Sequence, residues 1–120
     1  MMKNTQLRSL FMLIALVLGI GWATQGLQGW SRDRLGAQVA SSARPGDIQM
    51  VASVTCLYCD KARSWFTEYR VPFTECFIER DEACASQYRA LMAPGTPVML
   101  VRGKRLVGFD ADAVAAALTQ

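Results

Sequence analysis

The sequence predicts an α/β domain of about 72 residues with the element order β-α-β-α-β-β-α and a four-stranded mixed sheet. Three observations carry this. Apolar runs of strand length alternate with segments of helical spacing between residues 47 and 118. Pro94-Gly95 breaks the chain just before a closing pair of short strands around Gly103. Asp81 and Asp110 each stand immediately before a helical segment, where a carboxylate can accept otherwise unpaired backbone N–H groups.

The elements follow in chain order. Lys3 and Arg8 precede an apolar run over residues 10–23, which reads as a signal peptide or a transmembrane anchor in the 1–23 segment. Gly21-Trp22-Ala23 supplies a small-x-small cleavage site. The run is shorter than the ~20 residues of a full span, and Ser9, Thr24 and Leu27 can extend it. Either reading exports the rest of the chain, because the positive residues stay inside. For a bacterial protein that means the periplasmic face of the inner membrane or the soluble periplasm. Residues 24–46 are rich in Gly, Ser, Gln and Ala. They read as a linker ending in the turn signal Pro45-Gly46, or as a short N-terminal extension with Leu35 and Val39 on one helical face.

The domain is placed at residues 47–120. Residues 48–54 form a buried strand that ends just before Cys56. Residues 59–69 have helical spacing, with Ala62, Trp65, Phe66 and Tyr69 on one side at i, i+3, i+4 and i+7, a stripe that reads as core. Residues 72–78 form a second strand, with Pro72 tolerated at its first position. Asp81 caps a helix over 82–92, on which Cys84, Tyr88 and Leu91 share a face. Residues 98–101 and 105–108 make a hairpin about Gly103, and Asp110 caps a helix over 111–118. Arg102, Lys104 and Arg105 flank Gly103 and read as a polar turn.

Composition bounds the function. The 120 residues carry a net charge of +3 and no histidine. The basic excess is too small and too scattered to point to nucleic acid. Without histidine, Cys/His metal sites and His-based triads are excluded. There are four cysteines, Cys56, Cys59, Cys76 and Cys84. In an exported domain disulfides persist. Cys76 and Cys84 are open to two readings, a structural disulfide that clips a small domain and a pair of buried free thiols.

Cys56-Leu57-Tyr58-Cys59 sits between a buried strand and an amphipathic helix. There the first thiol meets the unpaired N–H groups of a helix N-terminus, which stabilise its thiolate. A thiolate attacks a substrate disulfide, and a second thiol one turn further on resolves the mixed disulfide. This assigns Cys56 as nucleophile and Cys59 as resolving thiol of a thiol–disulfide oxidoreductase. The alternative is a non-catalytic binding or metal-binding module. No second short Cys-x₂₋₄-Cys knuckle accompanies the pair, so no metal is expected.

The chain resembles the glutaredoxin branch of the thioredoxin-fold superfamily over roughly residues 48–118. Three features match in order: Thr55-Cys56-Leu57-Tyr58-Cys59 after the first strand, Gly95-Thr96-Pro97-Val98 before the third, and Gly108-Phe109-Asp110 before the last helix. The resemblance implies a thioredoxin-like fold of glutaredoxin size and a cis Pro97 facing the cysteines. It assigns substrate binding to Leu57, Tyr58, Thr96, Pro97, Gly108 and Asp110, with the Thr96 backbone pairing to an extended substrate. The implied partners are disulfide-bearing or dithiol proteins. No bound cofactor is implied; glutathione enters as a possible co-substrate, with Lys61 and Arg89 as basic candidates to hold it. Leu57 stands where that branch has proline, and Gly95-Thr96-Pro97 is similar to the triplet of exported disulfide isomerases. Val107-Gly108 and Asp110-Ala111 stand where the branch has paired glycines and paired acids.

Overall fold

A computed structural model of the chain describes residues 2–120. The chain divides into two compact units, residues 1–33 and 34–120. A single helix, α1 (Met2–Ser42), supplies all the described residues of the first unit and opens the second.

Among its described residues the first unit has no apolar stripe. Leu10, Phe11, Met12, Leu13 and Ile14 follow one another around the helix and all are exposed. A helix that is apolar all round is one that apolar surroundings must cover. Among the described residues α1 is the one helix long and apolar enough to cross a membrane, and it lies near the N-terminus.

The second unit contains seven further elements: β1 (Ile48–Ala52), α2 (Leu57–Glu68), β2 (Thr74–Phe77), α3 (Glu82–Leu91), β3 (Val98–Val101), β4 (Lys104–Val107) and α4 (Ala111–Leu118). The sheet order is β2-β1-β3-β4. β1 runs parallel to β2 and antiparallel to β3, and β3 is antiparallel to β4. The mixed four-stranded sheet and its element order are those the sequence predicts. β1 and β2, which are parallel, are joined by α2, the crossover that such a pair requires. β3 and β4 are joined by Arg102-Gly103, both with positive φ (50° and 83°), as a two-residue hairpin of right-handed twist demands.

Period-two alternation on the central strand separates two cores. Ile48, Met50 and Ala52 of β1 join Met99 and Val101 of β3 on one face, under Ala62, Trp65 and Phe66 of α2 and Val114, Ala117 and Leu118 of α4. Val51 and Val98 face the other way and pack with Cys84 of α3. On that second face the Gln49 and Gln87 side-chain amides exchange hydrogen bonds at 3.0 and 3.1 Å. The helical stripe of Ala62, Trp65, Phe66 and Tyr69 is core as expected. Trp65 and Phe66 stack edge-on at 5.8 Å, and Trp65 meets Tyr69 at 5.0 Å.

Residues 24–42 continue α1, with Leu35 and Val39 on one helical face, and the second compact unit begins at Arg34. The reason is burial. Val39 and Ala43 enter the first core, with Leu35 and Ala40 packed against it. Gly36 permits the approach, since a Cβ there would overlap the Tyr69 ring. The expected polar turn at 102–105 is also more than a turn. The Arg102 guanidinium donates to the carbonyls of Leu118 (2.6 Å) and Ser42 (3.3 Å) and to the Asp47 carboxylate (3.3 Å). That ties the ends of α1 and α4 to the start of β1. Arg105 donates to the carbonyls of Leu91 (2.8 Å) and Met92 (3.4 Å), capping the C-terminal end of α3.

Candidate active site at the Cys56–Cys59 pair

β1 delivers the site. Its backbone pairing stops at Ala52, two residues earlier than the apolar run suggests, and residues 53–55 form an exposed or half-exposed loop. α2 then starts at Leu57, earlier than the residue 59 read from helical spacing, because Cys56 itself is the N-cap. Its backbone is extended (φ −118°, ψ 107°) and its Sγ accepts the Cys59 N–H at 3.1 Å. A sulfur thus takes the place that a Ser or Asp oxygen holds in most caps.

Cys56 and Cys59 form a disulfide, with Cα atoms 5.2 Å apart. The two sulfurs differ in access. Cys59 is wholly buried, whereas Cys56 is partly exposed. Of the two sulfurs only that of Cys56 lies on a partly exposed residue, and it stands at a helix N-terminus, whose N–H groups favour a thiolate. Leu57 and Tyr58, between the cysteines, are about two-thirds exposed (67% and 62%) and make an apolar rim beside them. The Lys61 ammonium lies 5.2 Å from the Tyr58 ring centre.

The Thr96–Pro97 bond is cis. Pro97 is buried, and Thr96 is half-exposed. Register places them: Val98 pairs with Val51, so Pro97 stands at the end of the sheet where β1 runs out toward Cys56. The Pro97 carbonyl accepts the Gly108 N–H at 2.8 Å. Gly108 has φ +79°, which only glycine adopts freely. The next residue, Phe109, packs on Trp65 (5.6 Å) and Phe66 (5.5 Å) of α2. The 108–110 segment is therefore fixed to both the cis-proline and the cysteine-bearing helix. Asp110 is committed as the α4 cap, its Oδ1 accepting from Asp112 (3.0 Å) and Ala113 (3.4 Å). Arg89 is not brought here. It lies on α3, on the other face of the sheet from α2, and pairs with Glu82 at 2.8 Å.

Cys76 and Cys84 form a second disulfide, joining β2 to α3 across a sequence separation of 8. Cys84 is buried in the second core and Cys76 packs against that core, remote in the fold from the α2 face on which Cys56 packs. Among the described residues no group of three His, Cys, Asp or Glu side chains could hold a metal ion.

Sequence reading missed the residue that holds the loop before Cys56. Glu79, just past β2, accepts the Val54 N–H at 3.1 Å through Oε2 and the Ser53 hydroxyl through Oε1. The Ser53 hydrogen bond holds the Glu79 carboxyl below its ordinary pKa. The available signal was faint: β1 and β2 are parallel, so the residues following each strand lie at the same end of the sheet.

No family model and no curated protein matches the sequence. Solved structures do match the fold. A thioredoxin-like protein, crystallised as a mutant, superposes with a TM-score of 0.56 at 19% identity, covering 62% of this chain and 96% of its own. The methanoredoxin of Methanosarcina acetivorans gives a TM-score of 0.52 at 23% identity, over 66% of this chain and 90% of that one. The glutaredoxin of Methanosarcina mazei Go1 gives 0.51 at 20% identity, over 61% and 78%. At such identities the likeness speaks for architecture, and with the sheet order and the helix layers above it shows that this domain has the thioredoxin-like fold.

Proposed function

We propose that the protein is an exported thiol–disulfide oxidoreductase in which Cys56 is the nucleophile and Cys59 the resolving thiol. The observation that carries this is the asymmetry of the pair: a partly exposed sulfur capping a helix, bonded to a fully buried one. The thioredoxin-like fold and the Cys-x-x-Cys pair support a thiol–disulfide redox role.

The reaction is written as two exchanges. The Cys56 thiolate attacks one sulfur of a substrate R–S–S–R′. A Cys56–S–S–R bond forms, the substrate bond breaks, and R′S⁻ leaves and takes up a proton. The Cys59 thiolate then attacks Cys56 Sγ, RS⁻ leaves, and the Cys56–Cys59 disulfide closes. Two electrons have passed from the protein dithiol to the substrate disulfide. The reverse sequence oxidises a substrate dithiol.

Substrates in this reading are disulfide-bearing or dithiol proteins that lie along Thr96-Pro97 beside the Leu57–Tyr58 rim, and glutathione serves as a co-substrate that resets the pair. No resident cofactor takes part. The N-terminal apolar helix directs the domain out of the cytoplasm, either anchored or released after cleavage, to the periplasmic side in a bacterium. Turnover in an insulin-type disulfide reduction assay with added thiol tests the proposal. The wild type should turn over, Cys56→Ser should not, and a wild type without turnover would leave a binding module.

A further inference from the structure

The loop between β1 and α2 has an anchor that the exchange chemistry itself does not require. β1 ends where the Ala52 carbonyl takes the Ile78 N–H at 3.0 Å. Four residues later Cys56 caps α2. Between them Val54 is 46% exposed and Thr55 is exposed, so apolar burial does not fix the chain there. Glu79 does. One carboxylate takes two donors from consecutive residues, the Ser53 hydroxyl and the Val54 N–H, and Ser53 Oγ accepts the Thr55 N–H at 3.5 Å. Hydrogen bonds to a carboxylate are the stronger kind.

The same contacts fix a negative charge on the loop that leads to Cys56, at Ser53 and Val54, three and two residues before it. Glu79 is ionised wherever a thiol titrates, because its hydrogen bonds lower an already acidic pKa. Of the other charged groups on the surrounding elements, Asp60 of α2 pairs with Arg63 at 2.8 Å and Lys61 of α2 lies over Tyr58. Arg80 lies 4.8 Å from the Phe77 ring centre, and its positive charge also helps to hold the Glu79 carboxyl ionised. Asp81 caps α3.

We propose that Glu79 is a positioning residue for the reactive thiol: it fixes the loop that sets Cys56 at the N-cap of α2, and its charge restrains the thiolate that the helix end promotes. This rests on the exchange function proposed above and names what tunes it. The two effects oppose each other. A held loop keeps Cys56 Sγ at the Cys59 N–H and favours the thiolate. A neighbouring carboxylate disfavours it. Substitution separates them. Glu79→Gln keeps an acceptor for Val54 and removes the charge. Ser53→Ala keeps the charge and loosens the loop. Glu79→Ala removes both.

The test is the rate of Cys56 alkylation against pH in the reduced full-length protein, with the redox potential of the pair measured beside it. Glu79→Gln should lower the pH midpoint, giving roughly two- to fivefold more thiolate below it. Its pair potential should become more oxidising, because the reduced form is stabilised. Ser53→Ala should raise the midpoint above wild type, and Glu79→Ala should fall above Glu79→Gln. A Glu79→Gln midpoint at or above wild type overturns the charge effect, and a Ser53→Ala midpoint at or below wild type overturns the positioning. Neither arm needs Glu79→Ala to fold. A wild-type midpoint at the ~8.5 of a free thiol counts against the exchange function instead, and the differences between proteins still decide the role of Glu79.

Discussion

Removing the second disulfide should cost stability and leave exchange intact. The bridge between Cys76 and Cys84 closes a loop with a sequence separation of 8. In the chain-entropy account, a loop of that length removes about 8 cal/mol/K from the unfolded ensemble, or about 2.5 kcal/mol at room temperature. Cys84 is only 2% exposed and packs with Val51 and Val98, so lost contacts add to this. For a domain of this size, 2.5 kcal/mol corresponds to a fall in Tm of roughly 10–20 °C. The variant to make is Cys76→Ala with Cys84→Ala, because either single change leaves an odd thiol able to exchange with Cys56. The assay is thermal unfolding of the oxidised full-length protein in mild detergent, followed by disulfide reduction at a temperature where the variant is folded. A Tm within about 3 °C of wild type would refute the clip. Loss of turnover in a folded variant would refute the separation of the two disulfides by role.

Three further outcomes are expected. Gly36→Ala should destabilise the domain by roughly 1–3 kcal/mol despite alanine's better helix propensity, because the new Cβ overlaps the Tyr69 ring down to Cγ. Gly26→Ala, which meets nothing within 4 Å, is the control in the same denaturation series. Acid should loosen the tie between Asp47 and Arg102. The Arg44 N–H, and then Arg102, hold the Asp47 carboxyl below its ordinary pKa, so its contribution is full above about pH 4 and is lost as pH falls through the folded value. Asp47→Asn should therefore lower Tm near pH 6 and converge with wild type near pH 2; parallel curves would rule the tie out. A reporter fused after Gln120 should be active outside the cytoplasm, and activity confined to the cytoplasm would contradict export.

The legible features were those written in local pattern. The Cys-x-x-Cys after a strand, the stripe of Ala62, Trp65, Phe66 and Tyr69, the capping acids Asp81 and Asp110, and the turn glycine Gly103 each declare themselves within a few residues. The cis Pro97 was legible only through the resemblance carried by Gly95-Thr96-Pro97-Val98. What stayed hidden depends on partners far along the chain. Arg102 meets Asp47 and Ser42 across 55 and 60 positions, and Glu79 meets Ser53 across 26, distances over which no periodicity operates. The helix over 34–42 was half legible: Leu35 and Val39 share a face, while Gly36 and the serines lower propensity, which the burial of Val39 and Ala43 overrides. Cys56 was legible as the residue at the helix N-terminus, while helical spacing, read from residue 59 on, marks the body of α2 and not its first turn.

The central claim is that Cys56 attacks and Cys59 resolves. The direct measurement is to react reduced Cys59→Ser protein with a disulfide-bearing polypeptide and locate the adduct by mass spectrometry. Without the resolving thiol, a mixed disulfide should accumulate on Cys56, while wild type should show only the closed Cys56–Cys59 pair and reduced substrate. No adduct on Cys56, or an adduct on Cys59 in wild type with Cys56 unmodified, would contradict the account.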